Sequence, residues 1–158
     1  SYENEFGGNH CWGNSYSCNN FDFNFDIISR IRRYRFKPLP KDWQSSGPFE
    51  IDRSKYAIGE NIFLLVHELK FDEKGQIDIM RPVNATHQEV WDSIPFDGAK
   101  KSSFNFYFEP KLQRLDVFCS VDDLIGKWSL VFRGTNYTNL DFEIDKRVVF
   151  GTNIEPIC

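Results

Sequence analysis

The chain has 158 residues and a formal net charge of −4, with 41% hydrophobic and 27% charged residues. This length suits one folded domain with its own core. The negative charge disfavours nucleic acid as a partner, because phosphate binding usually requires a basic excess. A composition with 16 Phe and a single Met leans towards β-structure, and no apolar run approaches the ~20 residues that a transmembrane helix needs.

Residues 1–48 are predicted to form an N-terminal extension with a short disulfide loop and a long strand. Residues 1–20 are polar and rich in turn formers. Apolar and polar residues then alternate over residues 21–27, which predicts a strand with one strongly apolar face. That face consists of Phe21, Phe23, Phe25 and Ile27. Residues 38–48, which include Pro38 and Pro40, are predicted to be a connector.

A basic cluster lies between this strand and the connector. It consists of Arg30, Arg32, Arg33, Arg35 and Lys37. Two interpretations stay open for it. The charges can line the edge of a strand and oppose uncontrolled pairing, or they can dock an acidic partner such as the Asp141, Glu143 and Asp145 face of a neighbouring copy.

From residue 49 onward the sequence predicts a series of short strands separated by turn formers. The predicted strands cover residues 49–53, 61–69, 76–80, 90–94, 104–108, 126–134 and 140–145. Asp72 to Gly75 is interpreted as a hairpin turn between the second and third of them, and Ser120 is a candidate N-cap for one helical turn over residues 121–125. This pattern predicts an all-β fold, with residues 49–158 as a β-sandwich and the whole chain as one compact unit.

The strand that follows Gly126 is the centre of this prediction. Its residues Trp128, Leu130 and Phe132 share one face, and polar residues occupy the other. A strand that turns two large aromatic rings inward needs a second apolar layer to cover them. We therefore predict two stacked sheets with these three side chains in their common core.

Four cysteines and two N-x-[ST] sequons, at Asn84 and Asn136, favour an oxidising, exported setting. Three disulfide pairings are open for Cys11, Cys18, Cys119 and Cys158. The pairing of Cys119 with Cys158 closes a loop of about 40 residues and stabilises the fold by ~4 kcal/mol through chain entropy, and the pairing of Cys11 with Cys18 closes a loop of about eight. We favour these two bridges, which staple both ends of the chain, over four reduced thiols. The start at Ser1 without Met is expected for a processed or trimmed chain.

Several short motifs follow one another between residues 50 and 145. They are Tyr56-Ala57-Ile58-Gly59-Glu60-Asn61-Ile62, a hairpin centred on Gly75, Arg81-Pro82, Phe108-Glu109-Pro110, and Ile125-Gly126-Lys127-Trp128-Ser129-Leu130-Val131-Phe132. Their order resembles that of immunoglobulin-like surface domains. The segments Arg81 to His87, Ile94 to Gly98 and Arg133 to Tyr137 further resemble small exported proteins of ammonia-oxidising (thaumarchaeal) archaea. The resemblance implies an immunoglobulin-like β-sandwich and a location outside the cytoplasm, and it transfers no active site.

The sequence contains no convincing catalytic or cofactor-binding pattern, and we predict a protein that is not an enzyme. It lacks a G-x-S-x-G nucleophile elbow and a glycine-rich phosphate loop. His10 is the one candidate metal ligand that its neighbourhood singles out, beside Cys11. We predict no metal site, because a site needs three or four convergent ligands and the other two histidines are distant in sequence.

These features together favour an extracellular structural protein, a subunit of a cell-surface assembly such as a filament, a pilus-like fibre or a sheath. The strand of residues 21–27 can complete its own sandwich, or it can insert into a neighbouring copy and link the copies. Self-association, or contact with another surface protein, is therefore expected. The alternative is an extracytoplasmic binding module for carbohydrate or metal, or an accessory subunit of a membrane-bound complex. Its sugar-stacking candidates are Trp12, Trp43, Trp91 and Tyr137.

Overall fold

A computed structural model describes residues 36–112 and 118–158, and residues 37–158 form one compact unit. The described residues are all-β, as predicted, and contain one short 3₁₀ turn at Val121–Asp123. Their strands are β1 (Gln44–Ser46), β2 (Phe49–Ile51), β3 (Lys55–Ile58), β4 (Ile62–Val66), β5 (Lys74–Pro82), β6 (Gln88–Asp97), β7 (Phe104–Phe108), β8 (Gly126–Arg133) and β9 (Leu140–Val148).

The strands form two sheets that share one core. One sheet has five strands in the order β3-β9-β8-β5-β6, and the other has four in the order β1-β2-β4-β7. β3 runs parallel to β9, and every other pair is antiparallel. Phe49 of the four-stranded sheet stacks on Phe132 of the five-stranded sheet, with 4.1 Å between the ring centroids. The predicted two-layer organisation is therefore confirmed.

The central strand of the sequence prediction is β8, and its inward face is the one expected. Trp128 and Leu130 are fully buried, and Phe132 is nearly so. The indole N–H of Trp128 donates a hydrogen bond of 2.9 Å to the carbonyl oxygen of Leu124. This bond satisfies the polar atom of a buried ring, and the burial of each large side chain contributes about 1.5–3 kcal/mol to folding.

Two local predictions were wrong. Asp72 to Gly75 does not turn a hairpin between paired strands, because β4 and β5 belong to different sheets and the segment crosses from one sheet to the other. Residues 44–46, assigned to a connector, form β1 and pair with β2. Gly47 makes this reversal possible with a φ of 55°, and a Cβ at that position would clash with the ring of Tyr137.

The predicted helical turn forms next to the predicted disulfide. Ser120 is the N-cap of the 3₁₀ turn, and the carboxylate of Asp123 accepts hydrogen bonds from the backbone N–H groups of Cys119 (2.9 Å) and Ser120 (3.1 Å). Cys119 is bonded to Cys158, which confirms this pairing. The backbone N–H of Ile157 also donates to the carbonyl of Cys119 at 2.9 Å, so the last residues are held against the loop that precedes β8.

Candidate interaction surfaces

Many of the residues predicted to carry function lie outside the described residues. They are His10, Cys11, Trp12, Cys18, the strand Phe21, Phe23, Phe25 and Ile27, and the arginines of the basic cluster. Their predicted roles, including the disulfide between Cys11 and Cys18, stay predictions.

An open groove of about 1000 Å³ lies between β6 and β7, along one side of the sandwich. β6 pairs only with β5, and β7 pairs only with β4, so within the described part of the chain each has one edge without a strand partner. The half-buried Phe104 and Phe106 line the groove from β7, and the buried Ile94 and Phe96 line it from β6. The groove is thus an apolar gap between two free strand edges.

Basic side chains surround this apolar floor. Lys74, Lys100, Lys101 and Arg133 line the groove together with a single carboxylate, Asp97. The ammonium group of Lys101 also lies 5.7 Å from the centroid of the Phe104 ring, within the range of a cation–π contact. In a chain whose net charge is −4, four cations against one anion make a locally positive site.

Arg133 is held at this rim by a buried carboxylate. Asp78, only 4% exposed, accepts hydrogen bonds from Arg133 Nε (2.9 Å), Ser93 Oγ (2.7 Å) and Gln76 Nε2 (2.7 Å). Burial by itself raises the pKa of Asp78, but the bonds from these three residues outweigh it and lower the pKa below its ordinary value. The carboxylate therefore stays ionised and orients the guanidinium group beside the groove.

A row of aromatic side chains occupies the outer face of the four-stranded sheet. Tyr107 is 65% and Trp43 44% exposed. Phe63 lies between them, with its ring centroid 6.2 Å from that of Trp43 and 4.7 Å from that of Tyr107. Phe63 and Tyr107 are direct cross-strand partners on β4 and β7. The Lys41 ammonium group lies beside the row, 5.4 Å from the centroid of the Trp43 ring.

Of the predicted sugar-stacking residues in the described part of the chain, only Trp43 presents its ring on a surface. Trp91 is half-buried, with its centroid 5.7 Å from that of Trp128. Tyr137 packs against Phe49 at 5.9 Å and donates its hydroxyl hydrogen to Glu73. Trp91 and Tyr137 are therefore partly buried candidates whose rings pack against the core, whereas Trp43 is the exposed candidate.

Phe63 and Tyr107 were not among the residues predicted to carry function. Phe63 lies within the unbroken apolar run of β4, where alternate residues Ile62, Leu64 and Val66 are buried and Phe63 points outward. An apolar residue at an outward position could have indicated an apolar outer surface, since a strand with one solvated face normally alternates apolar and polar residues.

Both predicted glycosylation sites lie on exposed loops. Asn84 lies between β5 and β6, where its Oδ1 accepts hydrogen bonds from the Thr86 hydroxyl (3.0 Å) and from the backbone N–H groups of Thr86 and His87 (both 2.9 Å). Asn136 lies between β8 and β9. There Thr138, the third residue of its sequon, accepts a 2.6 Å hydrogen bond from the Ser46 hydroxyl through its carbonyl oxygen.

Buried titratable groups elsewhere in the described residues serve the fold. The hydroxyl of Tyr56 donates to Asp52 Oδ1 at 2.7 Å, and burial together with this bond raises the pKa of Tyr56. Within residues 36–112 and 118–158, no three His, Cys, Asp or Glu side chains are grouped to hold a metal ion. No helix in the same described residues is long and apolar enough to cross a bilayer.

Comparison of the chain with protein-family models, with curated proteins and with solved structures gives no match. Two surfaces of the sandwich are the candidates for function: the groove between β6 and β7, and the aromatic row of Trp43, Phe63 and Tyr107.

Proposed function

We propose that this protein is an extracellular, non-enzymatic subunit of a cell-surface assembly, such as a filament, a pilus-like fibre or a sheath. The observation that carries the proposal is the groove between β6 and β7, where half-buried Phe104 and Phe106 adjoin two free strand edges. Edge strands beside exposed apolar surface pair readily with other chains unless something covers them. In a protein that self-associates through this side, the free edges of β6 and β7 would pair with another copy, and no covering segment would be needed.

The strand order supports an immunoglobulin-like sandwich as the scaffold. The order β9-β8-β5-β6 corresponds to strands G, F, C and C′ of a variable-type domain, and β2-β4-β7 corresponds to A, B and E. Two features depart from that pattern. Residues 98–103 lead from β6 to β7 without a strand D, and the disulfide joins Cys119 to Cys158 instead of linking strands B and F.

The Cys119–Cys158 bridge supports an extracytoplasmic location, because structural disulfides persist in oxidising compartments and are rare in reducing ones. The exposure of Asn84 and Asn136 is consistent with the same location, since an attached glycan requires an accessible asparagine.

Sedimentation velocity of the purified full chain, from micromolar to millimolar concentration, tests the proposal together with negative-stain microscopy of the native preparation. We expect an average mass that rises with concentration, and elongated particles in the micrographs. A chain that stays strictly monomeric over the whole range and shows only single particles contradicts the proposal.

The aromatic row favours a second candidate, a carbohydrate-binding module. The rings of Trp43, Phe63 and Tyr107 offer apolar faces for sugar C–H groups. Hydrogen-bonding side chains lie one row away on the same sheet: Asn105 is two residues from Tyr107 on β7, and Glu50 contacts His67 at 3.0 Å. Ligand sites commonly combine such an aromatic surface with a few polar groups.

Titration calorimetry with soluble oligosaccharides tests this second candidate. We expect binding heat for the wild type and its loss in Tyr107→Ala. Phe71→Ala is the matched control, because Phe71 is an aromatic residue that is 79% exposed but outside the row. An absence of heat at millimolar oligosaccharide, or an equal loss in both variants, rules out the aromatic row as a sugar site.

A further inference from the structure

We infer that the groove between β6 and β7 receives residues 21–27 of a second copy, which add a strand to the free edge of β7. The inference rests on the proposed function and names the contact that joins the copies. An extended segment bound in this way gains main-chain hydrogen bonds from the strand edge, and its alternate side chains enter the groove.

The first support is a missing strand. In the immunoglobulin order A-B-E-D, strand D pairs with strand E. In this sandwich β7 is in the position of E and ends its sheet, since residues 98–103 are too short and turn-rich to supply D. The half-buried Phe104 and Phe106 are the side chains that a strand D would cover. One added strand would therefore complete both the sheet and the apolar layer beneath it.

The second support is the pattern of residues 21–27. Seven residues in extended conformation span about 23 Å, which is enough to follow a strand of the length of β7. Every second residue of this segment is apolar, without exception over its seven positions. Such a strand can place four apolar side chains on the groove floor while its polar residues remain at the surface. The segment also lacks proline, so its backbone N–H groups are available for pairing.

The third support is charge complementarity. The polar positions between the apolar ones are Asp22, Asn24 and Asp26, so the outer face of the strand is acidic. The groove rim carries four cations against one carboxylate. Lys100 and Lys101 immediately precede β7, and their flexible stems can reach over an added strand to its carboxylates. The apolar pattern and the charges of residues 21–27 therefore both match the groove.

The proposed function requires the donor segment to come from a second copy, because a contact within one chain would not join copies. Each copy then has one donor segment and one acceptor groove, a head-to-tail contact that gives an open fibre when its rotation does not close and a ring when it does. A segment that folds back onto the groove of its own chain is the opposite outcome, in which the wild type stays monomeric.

Charge-reversal variants of the full chain test this contact. Asp22→Lys with Asp26→Lys alters the donor, and Lys100→Glu with Lys101→Glu alters the acceptor. We expect each double variant to weaken self-association by about tenfold or more, because two ion pairs become repulsive contacts. The chain that carries all four substitutions is expected to recover association, since the charges are complementary again. The matched control is Lys55→Glu with Lys146→Glu on β3 and β9, at the far end of the five-stranded sheet, which should have no effect.

A second variant tests the apolar face. Phe23→Asp with Phe25→Asp should lower association at least ~100-fold, because two buried aromatic side chains are lost and two charges would enter the groove. A thermal unfolding transition equal to that of the wild type shows that the sandwich still folds. Hydrogen exchange gives a direct readout, and amides of Phe104–Phe108 should exchange more slowly as the wild type associates.

The outcomes separate this inference from the proposed function. If the wild type associates and the charge-reversed double variants associate equally well, the strand contact is wrong and the assembly proposal stands. If the four-substitution chain fails to recover, the donor and acceptor do not meet and the inference falls as well. A wild type that is monomeric at every concentration, as expected when the strand completes its own sandwich, overturns both.

Discussion

Asp78 shows how a single side chain links the fold to the groove. Its carboxylate is nearly inaccessible, yet it remains charged because Arg133, Ser93 and Gln76 all donate to it. Such charge-assisted bonds are stronger than neutral ones. The same network holds the Arg133 guanidinium at the groove rim, so Asp78 both stabilises the sheet and fixes one of the four cations of the candidate interface.

We expect Asp78→Asn to lower the free energy of unfolding by about 1–3 kcal/mol at neutral pH, because a buried hydrogen-bonded charge loses its best partners. The folded-state pKa of Asp78 is lowered, so its contribution is complete above the ordinary carboxyl pKa and disappears as the pH falls through the lowered value. Urea unfolding of wild type and variant between about pH 2 and pH 7 measures the difference, which should shrink as the pH falls. Asp92→Asn, an exposed change on the neighbouring strand, is the control. A difference that does not vary with pH contradicts this account.

At the scale of elements, a disulfide and not a strand holds the C-terminal end of the chain against the sandwich. After β9 the chain runs through residues 149–158 without regular structure among them. The Cys119–Cys158 bridge and the Ile157 backbone bond fix its end beside the 3₁₀ turn. This turn carries the neighbouring Leu124, which is buried and accepts the hydrogen bond from Trp128. The bridge therefore supports the environment of the central tryptophan.

We expect Cys119→Ser with Cys158→Ser to lower the free energy of unfolding by up to ~4 kcal/mol, the chain-entropy value for a loop of this size. The sequence separation of the two cysteines is 39 residues. Urea unfolding without reductant provides the measurement. Cys11→Ser with Cys18→Ser is the matched control and should change the unfolding of the sandwich much less, because both residues precede the compact unit of residues 37–158. Equal destabilisation by both double variants would contradict the assignment of this role to the C-terminal bridge.

At the scale of the whole molecule, the two sequons lie at opposite ends of the five-stranded sheet. The Asn84 loop follows Pro82 at the end of β5, whereas Asn136 follows the end of β8, where Arg133 is paired with Gln76 near the start of β5. Asn136 is also two residues from Gly134, which lines the groove. A glycan at Asn84 would therefore lie far from the proposed contact between copies, and one at Asn136 would lie beside it.

We expect protein recovered from the cells that produce it to carry a glycan at Asn84, with no effect of that glycan on association. Intact-mass measurement of the wild type, Asn84→Gln and Thr86→Ala tests this, because both substitutions destroy the sequon. Their sedimentation should match that of the wild type. An unmodified mass for the wild type excludes the glycan. Weaker association of Asn84→Gln would indicate that the copies meet near Asn84, and would contradict a contact at the groove.

The sequence alone determined the two-layer, all-β organisation of this protein and the inward faces of its most strictly alternating described strands. A period of two requires only neighbouring residues, so the inward face of β8 and the bounds of β7 could be predicted from their own side chains. The pairing of Cys119 with Cys158 was favoured among three alternatives, and the structure confirms it. The predicted strand of residues 21–27 and the predicted roles of His10, Cys11 and Cys18 concern residues outside the described part of the chain and stay predictions.

Only the tertiary structure decided which strands are neighbours. Turn residues at Asp72 to Gly75 signal that the chain reverses, but they do not specify whether the next strand joins the same sheet or the opposite one. Likewise, nothing local to β6 or β7 shows that both end their sheets, or that Phe104, Phe106 and Arg133 meet in one groove. Strand order depends on pairing between segments distant in sequence, and the energy of that pairing belongs to the whole sandwich. The candidate interface consists of such long-range edges, which is why it could not be predicted from the sequence.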